Sequence, residues 1–111
     1  MGAKVVHESE TRVFLEGSEV CREYFKTGKI TFGSSTLLAG QSGTVDPGHP
    51  VSHEVFFVSR GHVLLSNPTT KTVYELKEGD AILIPEGEPH ELINIGAEKA
   101  IVTWSCAPSP E

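Results

Sequence analysis

Residues 79 to 94 read Gly-Asp-Ala-Ile-Leu-Ile-Pro-Glu-Gly-Glu-Pro-His-Glu-Leu-Ile-Asn, and their types are those needed to aim one imidazole. Gly79 with Asp80 predicts a tight turn, because glycine takes positive φ at no steric cost. The run Ala81 to Ile84 is short, apolar and stopped by Pro85, which suits a strand buried on both faces better than a helix. Pro85 removes a ladder donor, residues 85 to 89 turn the chain, and His90 begins the next strand. In that strand His90, Leu92 and Asn94 share one face, since side chains alternate with period two. A rigid turn ahead of a strand-initial histidine holds its ring in one direction.

The spacing Gly-x5-Pro-x-Gly-x2-His-x3-Asn, met at Gly79, Pro85, Gly87, His90 and Asn94, resembles the second motif of the cupins, small β-barrels of double-stranded β-helix type. The family's first motif runs Gly-x5-His-x-His-x3 or x4-Glu-x6-Gly, and its end is matched upstream by His49, Glu54 and Gly61. Its beginning is not matched: Pro47 stands where the first ligand histidine belongs. The likeness is complete for the second motif and partial for the first.

The resemblance implies a divalent transition metal held by His49, Glu54 and His90, two imidazoles and one carboxylate that leave positions open for substrate or O2. Fe, Mn, Ni and Zn all suit such donors. Counting back from Gly61 selects Glu54, whereas other small cupins place a ligand histidine close by, which selects His53. The two are neighbours on a strand and face opposite ways, so a bulge near Ser52 would exchange them. Pocket walls are expected from Phe56, Val58, Leu83, Leu92 and Trp104. The implied activity is that of a dioxygenase, isomerase or lyase acting on a small polar molecule. The alternative is a non-catalytic barrel that binds a small ligand with a degenerate metal site. Reaction, substrate and catalytic residues are not named by any residue type present.

The elements that must position this set are strands. From Thr11 onward, β-rich runs alternate with turn residues every 8 to 12 positions, the pattern of a sandwich or barrel: 11 to 16, 20 to 25, 30 to 38, 53 to 58, 62 to 65, 72 to 76, 81 to 84, 90 to 95 and 100 to 105. No window keeps helical periodicity for three turns, so helix should be scarce. Residues 1 to 10 are expected as an exposed edge segment, with His7 solvated. Residues 107 to 111, rich in proline, are expected to be a loose tail. Arg22 and Glu23 read as a solvated or ion-paired strand face, and His62 as a cross-strand or surface histidine. Tyr24, Phe32 and Trp104 read as core aromatics.

At 111 residues the chain reads as one all-β cupin domain of two antiparallel sheets, long enough to bury roughly 65% of its unfolded surface. Nine basic against fifteen acidic residues give a net charge of -6, a field that repels phosphate backbones and argues against nucleic acid as a partner. No apolar run approaches the ~20 residues of a membrane span, and a cytoplasmic location is expected. Cys21 and Cys106 lack metal or redox spacing and read as separate reduced thiols. The resemblance and the unpaired edges of the N-terminal strands imply a homodimer.

Overall fold

A computed structural model describes residues 2–110 and places most of them in nine strands. These are β1 (Arg12–Glu16), β2 (Glu19–Lys26), β3 (Thr31–Leu37), β4 (His53–Arg60), β5 (His62–Asn67), β6 (Thr72–Lys77), β7 (Ala81–Ile84), β8 (Glu91–Asn94) and β9 (Ala100–Ala107). A single 3-10 turn, Glu8–Glu10, is the only helical element among the described residues. The all-β expectation holds. The strands form two antiparallel sheets, one ordered β1-β2-β3-β9-β4-β7 and the other β6-β5-β8.

Period-two burial closes the sheets around one core. Alternate residues of β3, β4, β5 and β9 are buried, and Leu37, Val58, Val63, Leu65, Ile84 and Val102 are almost wholly enclosed. Trp104 of β9 lies opposite Gly33 of β3. A Cβ at Gly33 would overlap the indole ring, so the missing side chain is the seat of the aromatic. The indole Nε1–H donates to Ser35 Oγ, 2.9 Å away, which satisfies its polar end.

Two expectations fail for a tertiary reason. The run Ala81–Ile84 is not buried on both faces: it forms the edge strand β7, with Leu83 exposed and Ile84 buried. Only one face of the sheet is covered, and apolar residues on the other, including Phe57, stay in contact with solvent. The tail also differs. Ala107 continues the ladder opposite His53, the carbonyls of Pro108 and Pro110 accept from Ser52 and Lys26, and the hydroxyls of Ser109 and Thr31 bond to each other. Met1 and Glu111, the outer ends of the two terminal segments, lie outside the described residues.

Asn94, the last residue of the second motif, is a clamp. Fully buried, it donates through Nδ2 to the carbonyls of Leu37 and Glu98, at 2.9 and 2.8 Å, and its Oδ1 accepts from Gly96 N–H at 2.9 Å. It ties the end of β3 to the connection between β8 and β9. Replacing Asn94 with Ala leaves two carbonyls and one N–H unpaired in the interior. The expected cost is about 3 kcal/mol, read as a lowered midpoint in urea unfolding with an unchanged slope; a loss below ~1 kcal/mol would show that water or rearrangement replaces the clamp.

Candidate metal centre

The loop between β3 and β4 is docked onto the turn that precedes β8, and this fixes three of the candidate side chains. Asp46 and His90 exchange both backbone hydrogen bonds, at 2.8 and 2.9 Å. The carbonyl of His49 accepts from Gly87 N–H at 2.8 Å. Gly48, at φ +91, lies so close to the turn that a Cβ would meet backbone atoms of Gly87 and Glu88 at 2.8 Å, a position only glycine fills. His49 therefore belongs to this loop; it does not close a strand. Its ring is oriented by backbone contacts between the two motif regions.

Glu54 comes from β4, paired with Cys106 of β9 and Ile84 of β7. The ladder irregularity of β4 falls between Val58 and Arg60, past Glu54, so the strand keeps its alternation where the two candidate residues lie. Glu54, Phe56 and Val58 point inward, and His53 is exposed on the outer face with Nε2 2.5 Å from Glu86 Oε1. The structure thus brings Glu54, His49 and His90 to one cavity and leaves His53 outside it.

The centre is built on one oxygen. Glu54 Oε1 lies 3.1 Å from His90 Nε2 and 3.4 Å from His49 Nε2, yet has no hydrogen-bond partner among the described residues. His90 Nδ1 lies 3.0 Å from the carbonyl of Glu88; a proton there turns the Nε2 lone pair toward the carboxylate. Burial opposes a charge on the His90 ring, but the Glu54 carboxylate and the Glu88 carbonyl outweigh it and hold its pKa above the usual range. Two kinds of group relieve such an oxygen, a proton on the imidazole or a cation shared with it. The donor set, imidazole nitrogen with carboxylate oxygen, fits a first-row divalent metal. Donor atoms fall into two mutual sets within 4.8 Å, His49, Glu54 and Cys106 on one side and Asp46, Glu54 and His90 on the other, with Glu54 common to both.

Around this centre is a cavity of about 260 Å³. Phe56, Leu92 and Trp104 line it as expected, joined by Phe14. Leu83 does not, being on the outer face, and Val58 is buried in the core without lining the cavity. Phe56 meets His90 edge to face, with centroids 5.5 Å apart. Arg12 and Glu23 pair at 3.2 Å beside the cavity, which realises the ion-paired reading of Glu23. Tyr24 and Phe32 pack on one another elsewhere, and His62 makes its cross-strand contact with Glu75 at 2.6 Å.

Residues that the motifs did not single out also face the cavity: Asp46, Glu16, Glu19 and both cysteines. Burial pushes the Cys21 thiol up to about 12, and burial together with the charge of Glu54 pushes Cys106 up as well, so both remain neutral thiols. Burial and then the charges of Asp46 and Glu54 raise Glu16. Glu19 is 7% exposed; burial raises its pKa from 4.5 to about 7, partly offset by the Ser35 hydroxyl.

Two antiparallel sheets closed over a cavity of imidazoles and carboxylates define a double-stranded β-helix barrel. Residues 33–106 match the family model of the cupin domain, more than half of the chain, and the protein belongs to the cupin family. It is 34% identical over 67 residues to the uncharacterized protein MJ1618 of Methanocaldococcus jannaschii, a match covering 60% of this chain and 46% of that protein; the chain spans about half the length of this curated relative. TT1209 from Thermus thermophilus is similar with a TM-score of 0.73 at 26% identity, over 84% of this chain and 86% of that one. FeII HppE shares the fold with a TM-score of 0.80 at 16% identity, over 95% of this chain and 60% of that one. No helix among the described residues is long and apolar enough to cross a membrane.

Burial of Glu19 makes stability depend on pH. Its folded pKa lies above the unfolded value, so the unfolded chain holds fewer protons between them and stability falls as pH rises from about 4.5 to about 7. Glu19→Gln removes that loss. Relative to the wild type, the variant should gain roughly 2 to 3 kcal/mol between pH 5 and pH 8 in urea unfolding; parallel pH profiles would show that Glu19 titrates normally.

Proposed function

We propose that this protein is a metal-binding cupin enzyme that acts on a small polar molecule inside the barrel, with His49, Glu54 and His90 holding a divalent transition metal. The observation that carries this reading is Glu54 Oε1, buried with no hydrogen-bond partner among the described residues and flanked by two imidazole nitrogens. Fold-level support comes from FeII HppE, a barrel of the same fold whose name carries Fe(II). A bound metal would supply Lewis-acid polarisation of a substrate oxygen or nitrogen.

The chain's own residues do the rest. Phe14, Phe56, Leu92 and Trp104 exclude water and lower the local dielectric, which strengthens every polar contact to the substrate. Glu19, with its pKa near neutrality, holds or releases a proton at its carboxyl within the same cavity, as a general acid or base needs. Arg12, paired with Glu23, presents a cation to an anionic substituent. The reaction falls in the dioxygenase, isomerase or lyase range of the family. The competing reading, a non-catalytic small-molecule binder, draws on Pro47 in the first ligand slot.

Elemental analysis of untagged wild type and His90→Ala separates the two. The enzyme reading expects near one metal per chain in the wild type and at least a tenfold loss in the variant. Metal absent from both after incubation with Fe(II), Mn(II), Ni(II) and Zn(II) would overturn it and leave the binder.

A further inference from the structure

Pro47 removes one imidazole from the first motif, and the adjacent residue supplies a different donor in its place. We propose that Asp46 is a metal ligand of this chain alongside Glu54 and His90, so that the centre has two carboxylates. This inference rests on the metal-binding reading given above.

Four observations converge on Asp46. Its two carboxylate oxygens are divided between tasks: Oδ1 accepts from Gly48 N–H at 2.8 Å, and Oδ2 faces the centre, 3.9 Å from His90 Nε2. Its donor atom falls in one mutual set with those of Glu54 and His90. Its backbone is locked to His90 by hydrogen bonds in both directions, so the carboxylate cannot drift relative to the ring. The fourth is the buried Glu54 Oε1, without a hydrogen-bond partner among the described residues, an atom that a shared cation would satisfy and a further carboxylate alone would not.

Local sequence explains how the substitution works. A residue before proline is driven out of the helical region into extended backbone, the conformation Asp46 needs for its bridge to His90. Asp-Pro-Gly is also a turn sequence in which the aspartate bonds the backbone two residues on, which holds Oδ1 and frees Oδ2. Gly48 lets the loop lie against the turn at Gly87 and Glu88. Pro47 thus costs a ligand in its own slot and orients one in the preceding slot.

Charge balance gives the exchange a purpose. With Glu54 as the sole carboxylate ligand, a divalent ion would leave a net positive charge on the ligand set beside the buried His90 and Glu54. Asp46 brings the centre to neutrality, which lowers the cost of burying the ion. The second carboxylate also shifts the donor set toward oxygen-preferring ions such as Mn(II) and Fe(II).

Asp46→Asn is the informative variant, because its amide oxygen keeps the turn to Gly48 while an NH2 replaces the charged oxygen. Titration calorimetry with Mn(II) and with Zn(II), on wild type and Asp46→Asn, should show one ion bound per wild-type chain and an affinity at least about tenfold lower in the variant. The visible spectrum of the Co(II)-loaded protein should change with it, and the metal-free melting temperatures should stay close. Unchanged affinity and an unchanged Co(II) spectrum would overturn the role of Asp46 and leave the metal reading intact. A wild type that binds neither ion would overturn both. If Asp46→Asn unfolds, Asp46→Ser, which keeps a turn-forming oxygen and is too short to reach the centre, serves in its place with the same expected loss.

Discussion

A carboxylate oxygen enclosed by protein between two imidazole nitrogens is the constraint around which this barrel is arranged. Glu54 Oε1 has two imidazole nitrogens within 3.4 Å and no hydrogen-bond partner among the described residues. A buried carboxylate with incomplete hydrogen bonding costs about 1 to 3 kcal/mol, a sizeable part of the roughly 5 to 15 kcal/mol that holds a domain folded. Such an arrangement persists only where surrounding contacts fix every member. Glu54 is fixed by ladders on both sides of β4, His90 by its contact with Glu88 and its bridge to Asp46, and His49 by Gly87.

Those contacts belong mostly to backbone, which explains why glycines and prolines dominate the motif. Gly48 lets the two loops approach; Gly87 takes the positive φ of the turn; Pro85 and Pro89 stiffen it; Asn94 pins the far end of β8 to the end of β3. The aromatic wall is separate in origin. Trp104 reaches its place because Gly33 opposite carries no side chain, and its N–H meets Ser35. One side of the cavity is therefore set by loop docking and the other by sheet packing, and Glu54 belongs to both.

The second motif made its region legible in advance: the shared inward face of His90, Leu92 and Asn94, and the turn at Gly79, follow from spacing and period two. The nine strands followed from alternation and turn residues, with ends displaced by a few positions. Burial on both faces of β7 did not follow, because an apolar run says nothing of how many sheets cover it, and here one face of the larger sheet remains open. Asp46 carried a signal in its Asp-Pro-Gly turn, but that pattern reads as a simple loop until His90 is found beside it. Glu19 offered no local sign: beside the turn at Gly17 and Ser18 it resembles any solvated glutamate, and only the closure of β2 and the loop at Gly43 over it accounts for its burial.

The proposed metal would offset the cost of burying Glu54, and the most direct test compares melting temperatures of wild type and Glu54→Gln with and without saturating Mn(II) or Fe(II). Without metal the glutamine variant should be at least as stable as the wild type, since a neutral amide carries no buried charge and brings its own donor. With metal, the wild type alone should gain, by about 4 kcal/mol at roughly a thousandfold excess over Kd. A metal-free variant that melts well below the wild type, with no metal response in either, would mean that Glu54 is an ordinary structural partner of the two histidines.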